Sequence, residues 1–126
     1  MVISPGATAT RQYTVTDADS AVALGSGDVP VLATPRLIAW CEAVTVLAAA
    51  DGLDEAETTV GTKVDIDHLL PTPIGATVTV TAEVTSVNRR RVTFGVTVED
   101  HNGTAASGTV VRAAVDRQTF IDRLVS

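Results

Sequence analysis

Aromatic side chains are scarce in this chain of 126 residues: one Trp, one Tyr and two Phe, 3% of the total. A core must be filled by something else, and the counts say what. Val and Thr together make about 31% of the chain, a β-branched excess that favours strands over helices. Cysteine is limited to Cys41, so no intrachain disulfide can form. No Cys/His cluster has metal-ligand spacing, and neither metal nor cofactor is expected. Basic residues are outnumbered 9 to 15, and the pI near 4.6 argues against broad nucleic-acid binding, which needs a basic face. Long apolar runs are missing too. The longest, Leu37 to Ala50, has 14 residues and is interrupted by Glu42, whereas a span needs about 20. The opening Met1-Val-Ile-Ser-Pro-Gly6 has neither a basic nor an apolar region, so no secretory signal is expected and the cytoplasm is the expected location. What remains is 45% hydrophobic, enough to exclude wholesale disorder, and of a length that predicts one domain over residues 1–126.

The pattern predicts a short strand at Arg11–Thr16 and a single helical turn at Ala21–Leu24. A long helix opens at Thr34-Pro35, where Thr suits an N-cap and Pro the first turn, and stops at Asp51-Gly52. Its apolar residues run around the whole cylinder, which predicts burial on most sides. Four strands follow, Thr58–Leu70, Ala76–Val87, Val92–Glu99 and Thr104–Val115, with turns at Pro71–Gly75, Asn88–Arg91 and Asn102-Gly103. The expected architecture is α+β: a β-meander curled as an antiparallel sheet around one helix. Such a sheet cannot hide both its edges, so a homodimer is expected.

Three residues stand out as chemistry. Glu42 is the only charge between Leu37 and Ala50. An acid there faces a wet dimer interface, caps a backbone, or functions. His68 shares strand parity with Val60, Val64, Ile66 and Leu70, so it points inward with the aliphatics, towards the helix that carries Glu42. Asp65 and Asp67 have the opposite parity and point outward. Thr34 has a structural job as N-cap, but it also stands where a helix N-terminus offers unpaired N–H groups to an oxyanion. His101 reads as a solvated loop residue and Cys41 as a core thiol. Three consecutive arginines, Arg89, Arg90 and Arg91, form either a solvated turn or a dock for anionic phosphates, and Arg36 is a second candidate.

Val31, Leu32, Ala33 and Thr34, the segment Ala39-Trp-Cys-Glu-Ala43, and Val60, Gly61 and Thr62 together resemble a known family. With His68, Pro71, Pro73 and Gly75, the Thr77–Val84 strand and Ser107-Gly-Thr109, they are similar to the fluoroacetyl-CoA thioesterase type of hotdog protein, over about residues 10 to 117. The resemblance implies a hotdog fold and a catalytic threonine, glutamate and histidine, which fall on Thr34, Glu42 and His68. It also implies a glycine beside the site at Gly61. The chain departs from the fluoroacetyl-specific member in having Pro35 and Arg36 after Thr34 and no phenylalanine before Phe94. The aromatic lid for the fluorinated substrate therefore has no counterpart.

The resemblance implies thioester hydrolysis, and the few aromatics with the small helix residues Ala39, Ala43, Ala48, Ala49 and Ala50 suggest a pocket for a short or medium acyl-CoA. Glu42 would act as base or nucleophile, His68 as proton shuttle and Thr34 in positioning, with Gly61, Arg36 and Arg89–Arg91 as substrate contacts. The rivals are a non-catalytic hotdog dimer that binds an acyl ligand, and a dehydratase, which would need an inward Asp. On one regular helix Thr34 and Glu42 lie about 12 Å apart along the axis. A site composed across the dimer is the expected resolution.

Overall fold

The computed structural model describes residues 1–125. Strand β1 (Thr8–Thr14) leads through a 3-10 turn (Asp17–Asp19) and a one-turn helix α1 (Ala21–Leu24) to the long helix α2 (Thr34–Ala50). Strands β2 (Glu57–His68), β3 (Thr77–Asn88), β4 (Arg91–Asp100) and β5 (Gly103–Asp116) follow, and after them a short helix α3 (Arg117–Arg123). One antiparallel sheet has the order β1-β3-β4-β5-β2. Helix α2 touches all five strands, as a sheet curved around it allows. This is the expected α+β, hotdog arrangement.

The core follows from period-2 burial along the central strands. Val78, Val80, Ala82 and Val84 of β3 and Val92, Phe94, Val96 and Val98 of β4 are buried, and meet Leu37, Cys41 and Val44 of α2. Each fully buried Val contributes roughly 1.5–3 kcal/mol. Tyr13 of β1 stacks on Trp40 of α2 with ring centroids 4.5 Å apart.

Four expectations need correction. The four later strands are not one meander: only β3, β4 and β5 are, while β2 pairs with β5 on its far side. Alternation reveals a strand but not its partner. The link from β2 to β3 passes the start of α2, where Leu32 N–H donates to the Thr72 carbonyl at 2.8 Å and Val31 bridges Pro73. β1 begins earlier than Arg11, because Thr8 to Arg11 pair with Glu83 to Val80 despite their weak pattern. The N-cap of α2 is Ala33; Thr34 is already helical, and no side chain caps this end. Finally, α2 is buried on its sheet side rather than on most sides. Leu37, Cys41, Val44, Ala48 and Ala49 face the sheet, while Ala39, Ala43, Val46, Leu47 and Ala50 are exposed. The chain alone thus leaves an apolar helix face beside an unpaired sheet edge, β2.

Candidate active site

Because Thr34 is not the cap, its hydroxyl is available elsewhere. Its Oγ1 lies 2.8 Å from Nδ1 of His68, which arrives from the end of β2. His68 Nε2 is buried with no hydrogen-bond partner among the described residues. Burial lowers the His68 pKa from its ordinary 6.5, opposed in part by the nearby Leu70 backbone, so the ring favours its neutral form. A cavity of about 350 Å³ opens beside this pair, walled by Val29, Val31, Leu32, Leu69 and Leu70. No Phe, Tyr or Trp side chain lines it. The small helix residues expected to shape a pocket are elsewhere: Ala48 and Ala49 are buried in the core, and Ala39, Ala43 and Ala50 are exposed.

Glu42 sits two helical turns further on and meets a residue that the sequence reading missed. Arg112 of β5 is buried, and its Nη1 donates to Glu42 Oε2 at 3.1 Å. The acid is therefore paired rather than lonely. Strand alternation alone could have found Arg112, since it shares parity with the buried Val110 and Ala114. Burial pulls the guanidinium pKa below its ordinary value and the Glu42 charge pushes it back up.

The backbone of β2 shapes this spot. A register shift between Gly61 and Lys63 inserts Thr62 as an extra residue, so inward parity changes there. Thr59 and Gly61 face α2 before the bulge; Val64, Ile66 and His68 face it afterwards. Val60, expected on the inward face, therefore belongs with Ala113 on the other side. His68 keeps its inward direction, and Asp65 and Asp67 are exposed as expected. Gly61 is where the carboxylate rests: a Cβ there would stand 2.5 Å from Glu42 Oε2 and 3.3 Å from Arg112 Nη1. Gly61→Ala should displace a half-exposed side-chain end rather than unfold the sheet. We expect wild-type melting with turnover down by about 10- to 100-fold, the scale of a misplaced reacting group.

The remaining predicted residues stand apart. Arg36 pairs with Asp19 of the 3-10 turn, Nε to Oδ1 at 3.0 Å. Arg90 donates to Glu57 at 2.7 Å and to the Ala114 carbonyl at 3.0 Å. Hydrogen bonds from the Asp54 backbone and from Arg90 pull Glu57 down to about 2. Arg89, with φ of 58°, and Arg91 complete the β3–β4 turn and line a depression with Asn88 and Ala113. Arg91 pairs with Ala113, whereas Val92 pairs with Arg112, so Arg91 lies on the sheet face away from α2. Cys41 is buried, and its thiol is pushed up to about 12 by desolvation and the adjacent Glu42 charge, which removes it as a nucleophile.

Within one chain, the geometry joins Thr34 to His68 and Glu42 to Arg112 and Gly61, and leaves the two groups apart. Residues 15–118 match the family described as FlK, fluoroacetyl-CoA-specific thioesterase. The chain belongs to this family. A fluoroacetyl-CoA thioesterase from Streptantibioticus cattleyicolor is 38% identical over 90 residues, covering 71% of this chain. That match spans 65% of the relative's own length. A solved structure of the fluoroacetyl-CoA thioesterase FlK superposes with a TM-score of 0.90 at 30% identity, covering 96% of this chain and 94% of the other. A Phe-to-Ala variant of FlK, solved with fluoroacetate and CoA, gives 0.86 at 32% identity, covering 93% and 98%. A thioesterase superfamily member from Thermus thermophilus, 24% identical with a TM-score of 0.87 over 97% and 93% of the two chains, shows the same fold. The FlK family assignment covers α2 and β2 in full, and with them Thr34, Glu42, Gly61 and His68, as well as Arg112 on β5.

Proposed function

We propose that this protein is a cytoplasmic acyl-CoA thioesterase, hydrolysing short or medium aliphatic acyl-CoA to the free acid and CoA. The observation that carries this reading is the Glu42 carboxylate held against buried Arg112 over the bare backbone of Gly61, on a helix otherwise free of charge beyond its first turn. A carboxylate that is paired with a guanidinium and still partly exposed is open to a substrate, as a base or nucleophile requires. Glu42 either activates water for attack on the thioester carbonyl or attacks it directly, expelling the CoA thiolate to give an anhydride that water then hydrolyses to the free acid and Glu42. His68 moves the proton. Its Thr34 hydroxyl partner can donate or accept, so Nε2 serves either as the lone pair that deprotonates water or as the N–H that protonates the departing thiolate. The thioester oxygen faces the start of α2, where the first backbone N–H groups have no partner within the helix. Of the arginines offered to the CoA phosphates, Arg89 and Arg91 fit best, because Arg36 and Arg90 already hold carboxylates.

The working unit in this reading is a homodimer. Apolar side chains on the outer face of α2 and the open edge of β2 both call for cover. Antiparallel pairing of two β2 edges about Val64 and Asp65 sets Gly61 of one protomer opposite the partner's His68. Each site then combines Glu42 and Arg112 from one copy with Thr34 and His68 from the other.

The test is thiol release from a panel of acyl-CoAs by the purified protein. We expect turnover of acetyl- to medium-chain substrates, with fluoroacetyl-CoA showing no strict preference over acetyl-CoA, since no Phe, Tyr or Trp lines the cavity. Strict fluoroacetyl selectivity would contradict the substrate range. Ligand-induced thermal stabilisation without thiol release would identify a binding protein instead.

A further inference from the structure

The Arg112 guanidinium reaches Glu42 with only one of its three nitrogens. The other two go to a single residue. Nε donates to Thr59 Oγ1 at 2.8 Å, and Nη2 donates to the Thr59 carbonyl at 3.1 Å. Thr59 and Arg112 are each 7% exposed, so water competes little for either contact. The placement follows from β2 and β5. Gly61 stands opposite Arg112 in the ladder, and Thr59, two residues earlier and before the bulge, shares its inward face. A guanidinium is planar with its N–H groups fixed in a fork. Two bonds to one anchor fix that plane, and the direction of Nη1 towards Glu42 Oε2 follows.

We infer that Thr59 is a positioning residue for the reaction, holding Glu42 in place through Arg112; the inference rests on the reading of Glu42 as the reacting carboxylate. Without the hydroxyl, the guanidinium keeps only its carbonyl anchor and pivots about it, and the carboxylate over Gly61 loses its fixed partner. Among the described residues Thr59 makes no hydrogen bond to Glu42, and it does not line the cavity beside His68. Its loss should therefore act on the chemical step and spare binding.

Thr59→Val removes the hydroxyl and keeps the shape. It should lower kcat about tenfold with KM within about twofold of wild type, and Thr59→Ser should restore kcat to within about twofold. Arg112→Lys keeps a cation but has no fork, and should reproduce the kcat loss by a route that leaves Thr59 untouched. In a Glu42→Gln background, Thr59→Val should leave the residual rate unchanged, because the group it positions is already disabled. Wild-type kcat in Thr59→Val, or in Arg112→Lys should the valine variant not fold, overturns the inference. So does a tenfold loss that persists in the Glu42→Gln background, or one that serine fails to restore, either of which marks a purely structural threonine. Full turnover by Glu42→Gln alone would instead defeat the reading of Glu42 on which the inference stands.

Discussion

Glu42→Gln is expected to reduce thioester turnover by about 10³-fold while leaving the chain folded. Glutamine keeps the length of the side chain and can still accept from Arg112 Nη1, so the contact at 3.1 Å survives in neutral form. What disappears is the charge, and with it both the base and the nucleophile. Exchanging a charged hydrogen bond for a neutral one costs about 1 kcal/mol of stability, well within what a folded domain tolerates. Thermal melting and thiol release on one preparation separate the two roles. If Glu42 serves only to balance the buried guanidinium, the variant will melt earlier and hydrolyse at the wild-type rate.

His68→Ala should cut hydrolysis by about 10²-fold or more, the scale of a positioned acid–base group. The loss should depend on Glu42, so the double variant should be little worse than either single one. Near wild-type turnover in His68→Ala, with Glu42→Gln inactive, would make His68 a packed strand residue. The same variant carries a pH signature. Burial lowers the His68 pKa below 6.5, so on acidification the unfolded chain takes up a proton before the folded one does. Stability from this group is fully present above pH 6.5 and is lost as the pH falls towards the depressed native value. His68→Ala should therefore flatten that part of the stability loss in urea titrations run downward from pH 7.

Much of this site was legible in the sequence, because the signals were local. Thr34-Pro35 and Asp51-Gly52 bracket a helix that runs from Thr34 to Ala50. A single acid in an apolar helix and a histidine in phase with aliphatics single out Glu42 and His68. Long-range information was harder to reach. Nothing in the strand from Glu57 to His68 says that it pairs with β5 rather than β3, because period-2 alternation is the same beside any neighbour. The bulge at Thr62 has no signature beyond Gly61, and it moved Val60 off the inward face while leaving His68 on it. Arg112 is in phase with the buried Val110 and Ala114, but nothing local says that its partner is Glu42, 70 residues earlier. The cap expected at Thr34 falls instead on Ala33 for a related reason. Threonine suits a cap, but the ring brought by β2 claims the Thr34 hydroxyl.

The central claim is that Glu42 and His68 serve one hydrolytic centre shared between two copies of the chain. Mixing the inactive Glu42→Gln and His68→Ala proteins under conditions of subunit exchange tests it directly. A mixed dimer built as proposed has one site with both groups intact and one site with neither. Random exchange should then restore about a quarter of wild-type thiol release, since about half the dimers are mixed and half their sites are whole. If both groups belong to the same protomer's site, no mixed dimer contains a complete centre. Activity that stays at the level of the separate variants after demonstrated exchange would contradict the account.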